Sequence, residues 1–383
     1  MALTPTVAEA SAAATSYQHP PASPGPPAPP GRAGTRALPG WLARAGRQLA
    51  GSLAVLLSVV TVTFLVTRVL APDPVSLFLG SSGGGASSAD AQAAEMAKIR
   101  ARLGLDESIP AQYLHFLGQL VHGDLGRSFQ TGRPVSSDLW SRLPATAELA
   151  VYSLLLGIVG GIVAGVVSAV RRGRAADVAS RLVTIGALAM PQFWIGLMLL
   201  WIFHTKLHLA PGPAGRLPIG TDPPGHLTGF YLVDSILRGR WSTAADATRQ
   251  LVLPVLTLAA GLAAPISKVV RASMVEALAA DYTRTAIAAG FGRRRIWFVY
   301  ALKNGLLPVL TMLANVVAFT FVGSILVEGV FGWPGIGNYA VKAIGDSDFP
   351  AVQGFVLYAT VLYVVIYELL AVAYRRADPR VRS

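Results

Sequence analysis

Apolar residues gather in six long stretches, at roughly 49–71, 146–170, 180–203, 250–272, 306–331 and 351–374, with polar and glycine- or proline-rich sequence between them. A helix rises about 1.5 Å per residue, so about 20 residues cross a hydrocarbon core of about 30 Å. Each stretch is therefore expected to be one membrane span, and the even number places both termini on one side. Prolines and small residues mark the spans internally. Pro191 in ALAMPQFWIG is expected to free a carbonyl and kink the third span. Gly157, Gly161 and Gly165 in GIVGGIVAG give the second span a face of small residues that lets a neighbouring backbone come close, within the same bundle rather than across a dimer.

The segments outside the spans divide by composition. Residues 1–40 hold nine prolines and no apolar period, the signature of a disordered or polyproline-like tail. Residues 81–95, SSGGGASSADAQAAE, read as a flexible linker. After it Ile99, Leu103, Tyr113, Phe116, Leu117 and Leu120 keep helical spacing, and Pro110 divides them into two short amphipathic helices that cap the bundle. The expected organisation is a tail at 1–45, a first span with a long external segment at 46–145, and a five-helix core at 146–383.

Composition agrees with a chain solvated by lipid. Only 14% of residues are charged and mean hydropathy is +0.52, against about a quarter charged in soluble domains. Cysteine is absent, which excludes disulfides, thiolate metal sites and cysteine nucleophiles. The net charge of +12 invites a nucleic-acid reading, but its distribution removes the need for one. The two tails, 171–181 and 268–303 together hold 19 Lys and Arg against five acids, whereas the rest of the chain holds 13 against 15. The positive-inside rule puts the tails and the 268–303 hairpin in the cytoplasm.

Chemistry of its own is missing. There is no Gly-Lys dipeptide, hence no phosphate-cradling P-loop. Glu148, Glu328 and Glu368 sit near span ends, where capping or snorkelling accounts for them; Glu148 is expected in the first turn of the second span, where the helix dipole favours a carboxylate. His204 and His208 have i, i+4 spacing but no accompanying glutamate, so a metal site is not expected. No residue is assigned a catalytic role.

The hairpin 276–304, EALAADYTRTAIAAGFGRRRIWFVYALKN, stands apart. Met274, Leu278, Tyr282 and Thr285/Ala286 form one helical stripe, and six alanines make the helix slim. Gly290 falls where a helix ends in a left-handed residue, and Pro308 opens the following span, where its missing N–H is tolerated. Such a helix suits a groove on a soluble partner. Its arginines equally suit anionic lipid, and physical chemistry alone leaves both open.

This stretch resembles the cytoplasmic coupling loop, the EAA loop, of permease subunits from bacterial ABC importers, within their dipeptide/oligopeptide/nickel branch and its first, B-type permease. The pattern D-Y-x-R-T-A-x-A-x-G, then R-R and A-L-x-N before a proline, stands here as Asp281, Tyr282, Arg284, Thr285, Ala286, Ala288, Gly290, Arg294, Arg295, Ala301, Leu302, Asn304 and Pro308. Arg284 replaces the glutamate of the general loop, so no role of that glutamate carries over. Stretches 103–129, 142–150, 331–344 (FGWPGIGNYAVKAI), 348–354 and 378–382 resemble the same branch, and the likeness covers about 45–383.

The resemblance implies an all-α, six-span permease of the ABC importer type I fold with both termini cytoplasmic and a coupling loop at 273–305. It implies no cofactor in this chain; ATP and Mg would sit on partner subunits. Those partners would be a second homologous permease, two ATP-binding subunits or a fused ATPase, and an extracytoplasmic substrate-binding protein, in a bacterial cytoplasmic membrane. Tyr282, Thr285, Ala286 and Ala289 would form the contact face, Asp281 would open it and Gly290 would make the turn. Arg284 and Arg293 to Arg295 would meet the ATPase or lipid headgroups. Gln192, Asn315, Ser324 and Glu328 are candidate pathway residues. Cargo other than peptides, such as nickel complexes, and a stand-alone channel or secondary carrier are the alternative functions.

Overall fold

The computed structural model describes residues 40–69 and 107–377. The tail, the 81–95 linker, the first of the two amphipathic helices and the 378–382 stretch lie outside the described residues. By internal contacts the chain divides into units 1–51 and 52–383. Of the first unit only residues 40–51 are described, and the second holds every other described residue.

The described residues are helical and form no strand. In order they are α1 (Gly40–Val69), α2 (Ile109–Val121), α3 (Val135–Val170), α4 (Ala175–Ala189) and α5 (Gln192–Leu199), which continues as a π-helical turn, Leu200–Lys206. Next come α6 (Tyr231–Leu237), α7 (Trp241–Ala279), α8 (Asp281–Ala288) and α9 (Arg293–Arg295), followed by a second π-helical turn, Ile296–Ala301. The last described elements are α10 (Leu302–Gly305), α11 (Leu307–Val330), α12 (Ile336–Gly345) and α13 (Phe349–Ala377). Among the described residues four helices are long and apolar enough to cross a membrane, α1, α3, α7 and α13, and they coincide with the expected first, second, fourth and sixth spans. The expected fifth span corresponds to α11, whose Asn315–Val330 stretch is apolar.

The segment expected to be the third span is more than kinked. α4 and the α5 helix with its π turn meet at 111°. The cause is local: a proline clashes with a helical residue before it and pushes that residue into the extended region. Met190 sits there accordingly, at φ −95° and ψ 135°.

α3 and α7 form the centre of the bundle, and the glycine face expected of the second span is the reason. A Cβ at Gly157 would lie 2.7 Å from the Cβ of Leu262, one at Gly161 2.8 Å from the Ala263 carbonyl, and one at Gly165 2.7 Å from the Cβ of Val270. Lipid tails are as apolar as leucine, so helices in a bilayer gain chiefly from close van der Waals packing, and small residues permit it. Leu262, Ile266, Val270 and Met274 of α7 are buried there with Val166 of α3 and Val316 of α11. Gly161→Ala should push the two helices apart and lower stability by about 1–3 kcal/mol. Thermal unfolding in detergent reads this, and an unchanged midpoint would contradict the packing.

α2 opens with Pro110 in its first turn and lies on α1. Tyr113 shares a 2.6 Å hydrogen bond with Thr61, and its ring and that of Phe116 pack on Phe64 at 5.3 and 5.6 Å. α1 and α13 are otherwise lightly covered, touching through Ser52–Glu368 and Thr67–Gln353 hydrogen bonds.

α3 begins at Val135, upstream of the expected start at 146, so Glu148 is not in its first turn. The helix dipole therefore cannot be what holds this carboxylate. It is fully buried and paired with Arg216, from the loop before α6: Nε donates over 3.0 Å and an Nη adds a second bond. The Leu232 amide donates to the other oxygen at 3.0 Å, while Arg216 also reaches the Gly229 carbonyl and stacks 3.5 Å from the Tyr231 ring centroid. Nearby, burial opposes ionisation of Asp234. Donation from the Thr228 hydroxyl and the Thr228, Leu227 and Gly229 amides outweighs it and holds the carboxyl below its usual value. The 207–240 segment is thus pinned to α3 by one buried ion pair.

Candidate functional site

The hairpin is built from two helices, not one. α7 ends at Ala279, and Ala280 is extended at φ −70° and ψ 153°. This interrupts the stripe expected from Met274 to Ala286: Met274 is buried in the bundle, and α8 starts on a new axis. Thr283 secures the junction, its hydroxyl donating 2.7 Å to the Ala277 carbonyl. At the other end the Gly290 amide bonds the Ile287 carbonyl and the Phe291 amide the Ala286 carbonyl, a Schellman closure. Gly290 has the φ of +79° that this closure requires.

Of the expected contact face, Tyr282, Thr285 and Ala289 are exposed, with Asp281 and Arg284 beside them. Ala286 is not on that face. It is only 4% exposed and turns inward with Thr283, while Ile287, which the sequence did not single out, points out. Asp281 and Arg284 stand 3.5 Å apart on the surface, a geometry that adds little stability. Beyond the turn Arg293, Arg294 and Arg295 are exposed. Arg295 lies 4.4 Å from the Phe291 ring centroid, and Phe291 stacks on Tyr300 at 5.6 Å, so the basic turn is fixed against the second π-helical segment.

A Cβ at Gly290 would meet open space, so the effect of Gly290→Ala is backbone strain alone, about 1–2 kcal/mol. Local opening of 281–291 should then speed up by roughly five- to thirtyfold, read by amide hydrogen exchange. Unchanged exchange would contradict the assigned turn.

Next to the hairpin, three helices meet on Asp177. Arg271 of α7 donates to both carboxylate oxygens, at 2.9 and 3.0 Å, Ser168 at the end of α3 donates to Oδ1, and the Gly173 amide donates to Oδ2 at 3.0 Å. The α3–α4 turn is therefore anchored to the same helix that carries α8.

Of the four pathway candidates the structure brings Ser324 and Glu328 together, the Ser324 hydroxyl lying within hydrogen-bonding reach of the Glu328 carboxylate. Gln192 opens α5 and lies between Gly261 of α7 and Gly323 of α11. Asn315 is exposed and accepts a 2.9 Å bond from the Tyr367 hydroxyl of α13. Ser324 is buried and donates to the Phe321 carbonyl at 2.8 Å. It borders an apolar cavity of about 440 Å³ between α1, α11 and α13. Glu328 is fully buried and clamps the start of α12, accepting from the Thr146 hydroxyl at 2.7 Å and the Asn338 amide at 2.9 Å. The FGWPGIGN stretch exists in part to make room for it: a Cβ at Gly335 would lie 2.5 Å from the Glu328 carboxyl, and one at Gly337 2.5 Å from the Ile325 Cα.

The i, i+4 helical register of His204 and His208 is not kept. The π-helical turn ends at Lys206, His208 lies beyond it at φ +52°, and the His204 ring bonds the Ala210 carbonyl at 3.1 Å. Among the described residues no three His, Cys, Asp or Glu side chains are grouped to hold a metal ion.

Residues 161–383 match the profile of the binding-protein-dependent transport system inner membrane component, and residues 44–150 that of the N-terminal part of such components. The chain is 38% identical over 331 residues to the probable D,D-dipeptide transport system permease protein of Escherichia coli (strain K12), covering 86% of this chain and 95% of that one. It is 34% identical to the dipeptide transport system permease protein of Alkalihalophilus pseudofirmus, over 89% of this chain and 99% of the other. To the glutathione transport system permease protein of Escherichia coli O6:H1 it is 31% identical, over 88% and 97%.

Proposed function

The chain belongs to the family of binding-protein-dependent transport system inner membrane components, and on that premise we propose that it is one permease subunit of an ATP-driven importer of di- or oligopeptides. It forms half of a translocation pathway in a bacterial cytoplasmic membrane, with six spans, α4 and α5 making up the third, and with both termini in the cytoplasm. A second homologous permease completes the pathway, and an extracytoplasmic binding protein supplies the peptide. ATP and Mg are held by partner ATPase subunits. The observation that carries this reading is α8: a short helix closed at Gly290 and exposed along Tyr282, Thr285 and Ala289. It continues directly from the long helix α7 at the centre of the bundle.

Movement of α8 with an ATPase subunit would pass along α7 and, through Arg271 and Asp177, to the α3–α4 turn. A rigid-body change of this kind exposes a central site alternately to either side. Relatives carry dipeptides and glutathione by name, which favours peptide cargo over nickel complexes. Uptake of a labelled dipeptide and of nickel, compared in strains with and without this chain, tests the assignment. Loss of dipeptide uptake alone is expected. Loss of nickel uptake alone would move the assignment to metal complexes, and no change in either would contradict it.

A further inference from the structure

The break at Met190–Pro191 delivers Gln192 into a place that only glycine neighbours can make. Its amide nitrogen lies against Gly261 of α7 and its amide oxygen against Gly323 of α11, and a Cβ on either glycine would collide with the side chain. One helical turn on, Gly196 faces the same two helices, with Thr257 on one side and Val330 and Phe331 on the other. α5 is therefore keyed into the α7–α11 groove at two points. The second key is apolar and ordinary. The first is not, because the Gln192 amide nitrogen is buried with no hydrogen-bond partner.

A buried donor left unpaired is unfavourable, and an apolar side chain of similar size would fill the notch without that penalty. An amide placed there is held less tightly than the packing allows. Beside it lies a backbone hinge, Met190 in extended conformation and Pro191 without a donor, bent by 111°.

From this juxtaposition we propose that Gln192 is the latch of a gate. Seated between Gly261 and Gly323 it ties the broken third span to α7 and α11, and withdrawn it lets α5 swing about the 190–191 hinge. Gln192 is thus a positioning residue, and the inference rests on the importer reading above.

The chain contains no cysteine, so a Gln192→Cys/Gly323→Cys pair supplies its only two thiols. The complex is reconstituted with its partner subunits in proteoliposomes and treated with a short, reducible bis-methanethiosulfonate, at rest and after trapping with ATP and vanadate. The latch predicts that cross-linking drops by about tenfold on trapping, and that cross-linked complex loses dipeptide uptake and regains it on reduction. Equal cross-linking in both states, or full uptake by the cross-linked complex, would overturn it.

Gln192→Leu separates a latch from plain packing. A seat that only fills space predicts an equal or higher unfolding midpoint with unchanged uptake. A latch predicts that same midpoint with uptake reduced about tenfold, because the apolar side chain does not leave. Wild-type complex is assayed first. If it shows no ATP-driven uptake, the importer reading itself falls, whereas an active wild type with unaffected variants removes the latch alone.

Discussion

Arg216→Met is expected to remove about 3–5 kcal/mol of stability, enough to deplete the folded chain from the membrane. Glu148 is fully buried and its charge is answered by Arg216. Without the guanidinium the carboxylate keeps only the Leu232 amide. A second variant distinguishes a buried charge from lost packing. Replacing both partners, as Glu148→Met with Arg216→Met, removes the stranded charge and should recover part of the loss. Recovery stays incomplete because the Gly229 carbonyl and the Leu232 amide each lose a partner, at about 1–3 kcal/mol apiece. Unfolding midpoints of the two single variants and the double variant give the coupling directly. Additive effects would mean that the pair does not hold the 207–240 segment.

That ion pair also marks the limit of what the sequence discloses. Spans, the proline break, the close glycine face and the Gly290 turn are consequences of residue type and short-range spacing, and each is legible in the residues themselves. An acidic residue in an apolar span announces that it needs a partner, but nothing local says that the partner is Arg216, beyond the rest of its own span and the whole of the next. The dipole explanation for Glu148 failed for a related reason. Polar residues of 135–145 masked the true start of α3, which the packing of Val135 and Leu139 on Ile336, Tyr339 and Ala351 stabilises. Likewise Ala280 carries no glycine or proline signal, so the stripe from Met274 to Ala286 reads as continuous. The interruption there turns Ala286 inward and Ile287 outward. Glu328 reads first as a capping group and second as a pathway residue, and neither reading says which element it holds until α12 is seen to begin against its carboxylate.

The inward turn of Ala286 changes how the hairpin should be probed. Ala286→Trp would dislodge α8 from its own chain, and a loss of transport would then say nothing about a partner. Thr285→Trp adds bulk on the exposed side and leaves the buried pair Thr283 and Ala286 intact. Its expected effect is the larger of the functional predictions. The chain should still insert and unfold at the wild-type midpoint, while dipeptide uptake falls by about 100-fold, corresponding to about 2.7 kcal/mol of lost docking. Arg294→Glu with Arg295→Glu should reduce uptake less and in a salt-dependent way, because exposed charges contribute mainly through screened attraction. A Thr285→Trp chain that unfolds early would place the residue in the bundle rather than on a docking face.

On the importer reading, ATP-driven motion enters this subunit at α8. The most direct measurement is co-purification from detergent-solubilised membranes, comparing wild type with Thr285→Trp at equal recovery of this chain. Wild type should bring down a P-loop ATPase and a second homologous permease, whereas the variant should keep the permease and lose the ATPase. A wild-type chain that purifies alone and stable, or a variant that retains the ATPase in full, would contradict that entry point.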